Sequence, residues 1–432
     1  MNTTAEHTPL VDLMRYLSLH SAFYQDLFKK NGIDPLKIKT ISDLQKIPFT
    51  HKADLQTRQA DFVCVPRNKL IDHVSTSGTS GKPITLSLTE SDLERLAENE
   101  SNSFKIAGIH ADDIIQLMCT IDRRFMAGLA YFLGARKLGA GIIRVGNGLP
   151  ELQWTTIEEM KPTVLIAVPS FLNKMIHYAE ANHIDLKKTS VKKVICIGEA
   201  IRHADNSLNA LGRKITEKWP LQLFSTYAST EMSSAFTECE YSVGGHHQEN
   251  LIIVELVDEN GRVVKEGEPG ELVVTPLGVE GMPLLRFKTG DICMAHSEPC
   301  KCGRKGLRLS PLLGRKNQMI KLKGTSLYPA AVYDILESHA AIKNYQIVID
   351  SNELGTDEIT IFVGLDPHEN LFISEITDTF RAKLRVVPKL SVLSPDQVHK
   401  LLFPGNSRKA QKFIDNRANK LEDDTPREQS YK

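Results

Sequence analysis

"DIIQLMCTIDRRFMAGLAYFLGARKLGAGIIRVG", residues 113–146, changes period twice. It opens on the short apolar run 113–119 and passes through 125–139, where apolar side chains recur at three- and four-residue spacing. It closes on a second short run at 140–146. Short apolar runs bounded by turn residues read as buried strands, and the helical spacing between them, ended by Gly139, reads as an amphipathic helix. The unit then repeats its order. "TTIEEMK" (155–161) reads as helix, "TVLIAVP" (163–169) as strand, "SFLNKMIHYAEAN" (170–182) as helix and "KKVICIG" (192–198) as strand. Alternation of this kind predicts an α/β fold, a parallel sheet covered by helices.

Outward from this core the texture changes. Residues 10–33, "LVDLMRYLSLHSAFYQDLFKKNGI", carry helical periodicity. Past residue 220, "NLIIVELVD", "ELVVTPL" and "LLRFKTGDICMA" are β-rich, separated by turn signals at 258–261 and 267–270. After Gly314 a further unit begins: helix "YPAAVYDILESHA", strands "NYQIVID" and "EITIFVGLD", helix "LFISEITDTFRAKLR" and strand "KLSVLS". That order is a small α+β, ferredoxin-like sandwich. We therefore expect a large N-terminal domain over 1–314, with parallel and β-rich sheets, and a small C-terminal domain over 315–432 that ends in a polar tail. No internal repeat is visible.

Composition narrows the class of partner. Of 432 residues, 41% are hydrophobic and 25% charged, and Lys+Arg and Asp+Glu both total 53. With no net charge there is no global field to gather nucleic acid, so small molecules are the expected ligands. No apolar run approaches the roughly 20 residues of a membrane span, and "MNTTAEHTPL" lacks the order of a secretory signal. Seven cysteines, an odd number scattered over a long chain, do not form a disulfide framework, and the cytoplasm is the expected compartment.

"VSTSGTSGKPITLSLT" (74–89) crowds Ser75, Thr76, Ser77, Thr79 and Ser80 around Gly78 and Gly81 and adds Lys82. Glycines let backbone N–H groups approach a ligand, while hydroxyls and a lysine add donors, a chemistry that suits phosphate. It is not a Walker A loop, because Pro83 follows Lys82 where a metal-binding hydroxyl would stand. Alone it reads equally as a polar connector. Four further stretches change that: "STYASTEM" (225–232), "RFKTGDI" (286–292), "GRKNQMIKLKG" (314–324) and "GNSRKAQKFID" (405–415).

In this order and spacing the five stretches resemble the adenylate-forming enzymes, and more narrowly the phenylacetate–coenzyme A ligase family, over roughly residues 5 to 416. The resemblance implies an ATP-dependent ligase that activates an aryl carboxylic acid as acyl-AMP and passes it to coenzyme A. It places Ser77, Gly78, Thr79, Gly81 and Lys82 around the β- and γ-phosphates, and Thr230 at the α-phosphate. Glu231 would bind Mg²⁺ as a hard oxygen ligand. Asp291 would accept from the ribose hydroxyls, with Arg315 assisting. Tyr227, Ala228 and Ser229 belong to the nucleotide-binding motif, with Tyr227 against the adenine or the acyl group. Gly198 and Glu199 of "IGEAI" (197–201) would pass by the adenine. Lys409 would be the catalytic lysine. Asn317 would sit at the hinge of a mobile C-terminal domain. Four positions depart from the family pattern: Ala228 where glycine is usual, Asn317 where aspartate is usual, and Ser407 and Arg408 in place of Glu-Gly before Lys409.

By the same resemblance Phe125, Met126, Gly128, Ala130, Tyr131 and Pro169 would line the acyl pocket, although residues at helical spacing there also suit an ordinary core. The acid itself is not named by the sequence. The residues are also compatible with an adenylating enzyme that serves a carrier protein or cofactor, with a nucleotide-binding regulator lacking turnover, and with a homodimer. Separately, "PCKCGR" (299–304) offers Cys300 and Cys302 from one turn, and "ECEYSVGGHH" (238–247) adds Cys239 and two histidines. Three cysteines and a histidine form a tetrahedral structural zinc set. His246 fits the family's Gly-x-His, His247 competes with it, Cys293 and His296 are close enough in sequence to substitute, and plain thiols remain the alternative.

Overall fold

Five short strands lie side by side in parallel: Gly141–Arg144, Ile114–Leu117, Val164–Ala167, Lys193–Cys196 and Gln222–Ser229. The computed structural model describes residues 5–76, 83–322, 325–351, 357–366, 372–404 and 410–417. Beyond Gln222–Ser229 the sheet continues antiparallel through Ser234–Thr237, Gly245–His246, Arg308–Leu309 and Ala295–His296, nine strands in all. Val164, Leu165, Ile166 and Ala167 are fully buried, as expected of a central strand covered on both faces. The helices Met126–Leu138, Pro150–Met160 and Pro169–Ala181 connect the parallel strands. Gly139 ends the first of these in the left-handed conformation at φ 86°.

By contacts the chain divides into two compact units. One comprises Met1–Leu208, Gly212–Thr289 and Cys293–Leu312, the other Asn209–Leu211, Gly290–Ile292 and Leu313–Lys432. The first unit also holds the neighbouring strands Ile252–Val257 and Gly270–Pro276, paired antiparallel, and a core that reaches from Leu10 and Leu17 to Leu285 and Phe287. In the second unit, strands run in the order Lys389–Leu393, Asp357–Gly364, Asn344–Ser351, Phe413–Asp415, with Pro329–Ser338, Phe372–Leu384 and Pro395–Leu402 as helices. Its own core centres on Leu336, Ile347, Ile361 and Phe380. Among the described residues no helix is long and apolar enough to cross a membrane.

The apolar pattern gives no signal for the 17-residue helix Glu90–Ile106, "ESDLERLAENESNSFKI". Thr89 caps it through a reciprocal bond set with Asp92. Asp92, Arg95, Asn99, Glu100, Ser101 and Ser103 are all buried, so this helix enters the core largely through polar side chains, with Leu96 and Phe104 among its apolar ones. It packs on the 126–138 helix so closely that a Cβ at Gly134 would lie 2.4 Å from Glu100 Cβ.

Glu100 receives one hydrogen bond, from Asn99 Nδ2 at 3.0 Å, and burial raises its pKa to about 8. The unfolded chain ionises this group near pH 4.3 and the folded chain keeps it protonated, so the folded state binds the extra proton. Its contribution to stability is complete below that pH and falls as pH rises towards 8, at about 1.4 kcal/mol per unit. We expect Glu100→Gln to be more stable than the parent at pH 8 and to match it near pH 4. Denaturant midpoints across that range check this; a parallel pH dependence in the two proteins would show that Glu100 ionises freely.

Candidate functional site

The carboxyl ends of neighbouring parallel strands are where open α/β sheets bind ligands. Here Ile114–Leu117 leads into residues 118–125, Val164–Ala167 into Pro169, Lys193–Cys196 into Gly198 and Glu199, and Gln222–Ser229 into Thr230 and Glu231. Phe125 holds the position before the 126–138 helix and is 40% exposed. Pro169 is the first residue of its helix, where a missing N–H costs nothing. Gly198 is exposed and has φ +74°, a turn that glycine makes without strain.

Glu199 is committed to a protein partner. Its carboxylate accepts from Ser170 N at 2.8 Å and Ser170 Oγ at 2.9 Å, so it caps the 169–181 helix from the adjacent strand end. Tyr227 is half-buried with its ring stacked on Phe236 at 6.2 Å, directly across the Gln222–Ser229 and Ser234–Thr237 pairing. Ala228 faces Ala235 in the same pairing and has no positive φ, so alanine is accommodated without strain where the family has glycine. Ser229 Oγ accepts from Met232 N at 3.3 Å. The carbonyl of Thr230 accepts from Ser233 N at 3.3 Å, closing a tight turn. Among the described residues, neither Thr230 Oγ1 nor the half-buried Glu231 carboxylate has a hydrogen-bond or ion-pair partner. Two oxygen ligands are thus left for something other than protein.

The other residues expected at the acyl pocket are deeper. Met126 and Ala130 belong to the main core, and Tyr131 packs with Phe104 in the core beneath the parallel sheet. At Gly128 a Cβ would fall 1.9 Å from the Thr120 carbonyl oxygen, so this glycine lets the helix approach residues 120–121. In the second unit, Asp291 and Arg315 are register partners, with Arg315 Nε 3.1 Å from Asp291 Oδ1. Asp291 is buried and Arg315 is exposed. Asn317 lies in the short turn Lys316–Gln318. Ser77, Gly78, Thr79, Gly81, Lys82 and Lys409 lie outside the described residues.

The cysteine cluster is assembled from three segments. Cys239 follows the strand Ser234–Thr237, His246 sits on Gly245–His246, and Cys300 and Cys302 come from one turn before Gly303 at φ +84°. One ligand atom from each of the four lies within 4.8 Å of the others. Cys239 Sγ is 3.6 Å from Cys300 Sγ, and Cys302 Sγ is 3.6 Å from His246 Nε2. Metal–ligand bonds of about 2.3 Å to sulfur give tetrahedron edges of roughly 3.8 Å, so the donor set has the dimensions of a closed site. Burial lowers the pKa of His246 to about 4, leaving a neutral ring. His247 is directed elsewhere: its Nε2 lies 2.5 Å from the Ile252 carbonyl and its ring stacks on Phe236. Cys293 is in the main core, and His296 is not among the clustered ligands.

One pair escapes the motif reading. Arg202 Nε lies 3.0 Å from both oxygens of buried Glu238, and the same guanidinium donates to Leu223 O and Ser242 Oγ. Glu238 also accepts from Ser225 N at 2.9 Å. The available signal was a glutamate next to a ligand-type cysteine.

The AMP-binding enzyme family matches residues 25–279, and the AMP-binding enzyme C-terminal domain matches residues 324–417. A phenylacetate-coenzyme A ligase of Thermus thermophilus is 31% identical over 344 residues, 78% of this chain and 76% of its own. That of Aromatoleum evansii is 26% identical over 408 residues, 91% and 90% of the two chains. Among solved structures, 2-hydroxyisobutyryl-CoA ligase in the postadenylation state aligns with a TM-score of 0.82 and 23% identity. The alignment covers 95% of this chain and 88% of that one, a likeness of fold.

The Glu199–Ser170 contact yields a prediction independent of any ligand. Glu199→Ala leaves the helix start without its acceptor and should cost about 0.5–2 kcal/mol, the usual worth of such a cap. Glu199→Gln, which keeps one acceptor oxygen, should lose less. Equal denaturation midpoints for all three proteins would show that the carboxylate does not hold this helix in solution.

Proposed function

Because this chain belongs to the AMP-binding enzyme family, on its phenylacetate–coenzyme A ligase branch, we propose that it is an ATP-dependent acid–coenzyme A ligase. A carboxylate oxygen of the acid attacks the α-phosphorus of ATP, and the bond to pyrophosphate breaks. The sulfur of coenzyme A then attacks the acyl carbonyl and AMP leaves. The observation that carries this reading is the unpartnered pair of Thr230 Oγ1 and the Glu231 carboxylate at the end of the Gln222–Ser229 strand. A hydroxyl donor suits an α-phosphate oxygen, and a free carboxylate suits a hard divalent cation. Mg²⁺, when bound, would spread the charge of the triphosphate.

The other roles follow from the same reading. The 77–82 loop and Lys82 surround the β- and γ-phosphates, Asp291 accepts from the ribose with Arg315 beside it, and Gly198 lets the backbone approach the adenine. Lys409 is the catalytic lysine, a point charge between carboxylate and phosphate oxygens during adenylation. Phe125 and Pro169, on the strand-end side, bound the acid. An aryl acid is the proposed substrate class, in keeping with the names of the relatives. Residues 315–432 form the C-terminal domain, which moves about Asn317 between the two half-reactions.

Cys239, His246, Cys300 and Cys302 are proposed to hold one structural zinc ion. Its work is to pin the turn 299–304 to the segment 238–247; all four positions are taken by protein, which leaves no place for a reacting water.

Pyrophosphate release measured with a panel of acids, with and without coenzyme A, tests the reaction. We expect release with an arylacetic or related acid and thioester formation when coenzyme A is present. Release without thioester would move the acceptor to a carrier or cofactor, and ATP binding without release would make the chain a nucleotide sensor. For the metal, elemental analysis should find about one zinc per chain. Cys300→Ser with Cys302→Ser should abolish it and lower the melting temperature more than it slows adenylation. A stable, metal-free parent protein would return these residues to plain thiols.

A further inference from the structure

Arg95 is buried in the Glu90–Ile106 helix and meets no carboxylate at ion-pair distance among the described residues. Its acceptors are the carbonyls of Leu277, Ser233 and Leu251, together with Ser234 Oγ at 3.1 Å. The acid of the same helix turn, Asp92, is occupied by the N–H groups of Thr89, Glu280 and Gly281. Desolvation lowers the pKa of Arg95 to about 10, which leaves it cationic at neutral pH. A buried guanidinium whose bonds all go to neutral acceptors, with Asp92 attracting it only at longer range, is expensive to keep, and leucine or methionine would fill the space without that cost.

Two of its four bonds end on one feature. Ser233 and Ser234 close the turn that begins at Thr230 and Glu231, and Ser233 is a non-glycine residue with φ +48°. The turn is tied at its start by Ser229 Oγ to Met232 N and in its middle by Ser233 N to Thr230 O. Met232 anchors it, fully buried. The far end is fixed by the grip on the Ser233 carbonyl. Without that grip the carbonyl is left buried and unpaired, and Ser233 loses what holds it in the left-handed region. Thr230 and Glu231 then lose their common frame.

We propose that Arg95 is a positioning residue that sets the Thr230–Glu231 turn, and through it the cation requirement of adenylation. This rests on the proposed roles of those two residues toward phosphate and Mg²⁺. The test is a magnesium titration of pyrophosphate release, with ATP and the best acid of the panel, on the parent, Arg95→Lys, Glu231→Gln and the double variant. Lysine keeps the charge and loses the fork that reaches several acceptors at once. We expect Arg95→Lys to raise the half-saturating magnesium concentration several-fold and to lower kcat roughly tenfold to hundredfold, as a misplaced reacting geometry does. The KM for the acid should stay near the parent value. In the Glu231→Gln background the same change should add little to the magnesium requirement.

A lower melting temperature with unchanged magnesium dependence in Arg95→Lys, while Glu231→Gln is shifted, overturns the clasp alone and leaves a structural arginine. A flat response in Glu231→Gln overturns both the cation role of Glu231 and the route proposed for Arg95. If Arg95→Lys does not fold, Ser234→Ala removes one leg of the grip and keeps the guanidinium. It should shift the magnesium requirement in the same direction by less, and no shift would overturn the proposal.

Discussion

A helix that enters a core through polar side chains must have every one of them answered, because a buried polar group without a partner costs more than an apolar one would gain. The Glu90–Ile106 helix is built under that constraint. Asp92 takes the N–H groups of Glu280 and Gly281, Arg95 takes the carbonyls of Ser233, Leu251 and Leu277, and Asn99 Oδ1 takes Ala235 N and Gln248 Nε2. Three segments distant in sequence are thereby fixed to one helix. Apolar packing would hold them close but would tolerate sliding. Hydrogen bonds set their register, and the segment at 233–235 closes the turn after the strand Gln222–Ser229.

The second tie is the Arg202–Glu238 pair, which joins what the sheet alone would leave independent. Arg202 follows the loop at Gly198 and Glu199, Glu238 holds Ser225 N on the motif strand, and Cys239 is the next residue. A buried ion pair is weak evidence for net stability, since desolvation offsets most of the attraction; its usefulness is geometric. Here it ties Arg202, after the strand-end loop, to the strand Gln222–Ser229 and to the residue before Cys239. A metal in that cluster would stiffen the sheet extension from outside, which is the behaviour of a structural site.

The strand–helix alternation was legible because the inner parallel strands are covered on both faces and read as continuous apolar runs, as at Val164–Ala167. The helix at 90–106 was not, since periodicity detects apolar side chains, and here Asp92, Arg95, Asn99 and Glu100 are buried beside the few apolar ones such as Leu96 and Phe104. The two-residue strands Gly245–His246, Ala295–His296 and Arg308–Leu309 are too short to carry any period. At the cysteine cluster the chemistry was visible in the C-x-C turn, but the choice between His246 and His247 was not. Alternation along an extended chain sends adjacent side chains to opposite sides, and only the pairing of His246 with Thr237 and Arg308 says which side holds the thiols. Likewise Met126, Gly128 and Tyr131 share a helix whose periodicity describes its core face, whereas Phe125, just before the helix, faces solvent.

Why the reacting groups should gather at these strand ends follows from the spacing of the sheet. Neighbouring strands lie about 4.8 Å apart, so loops leaving adjacent carboxyl ends are held within one ligand's length of each other. In-line attack needs its two reacting atoms brought to about 3–3.5 Å. Loops on non-adjacent strands could not impose that without long insertions. The Pro169 and Glu199 loops leave strands that are direct neighbours, and the Glu199–Ser170 bonds lock one to the other. The Thr230 loop leaves the next strand along. The turns at Pro169, Gly198 and Thr230 therefore stand side by side in the order of their strands, which is what lets one extended ligand touch all three. The carboxylate of Glu199, spent on the helix start, ties the first two of these turns together, and Gly198, beside it, leaves open space at the strand end.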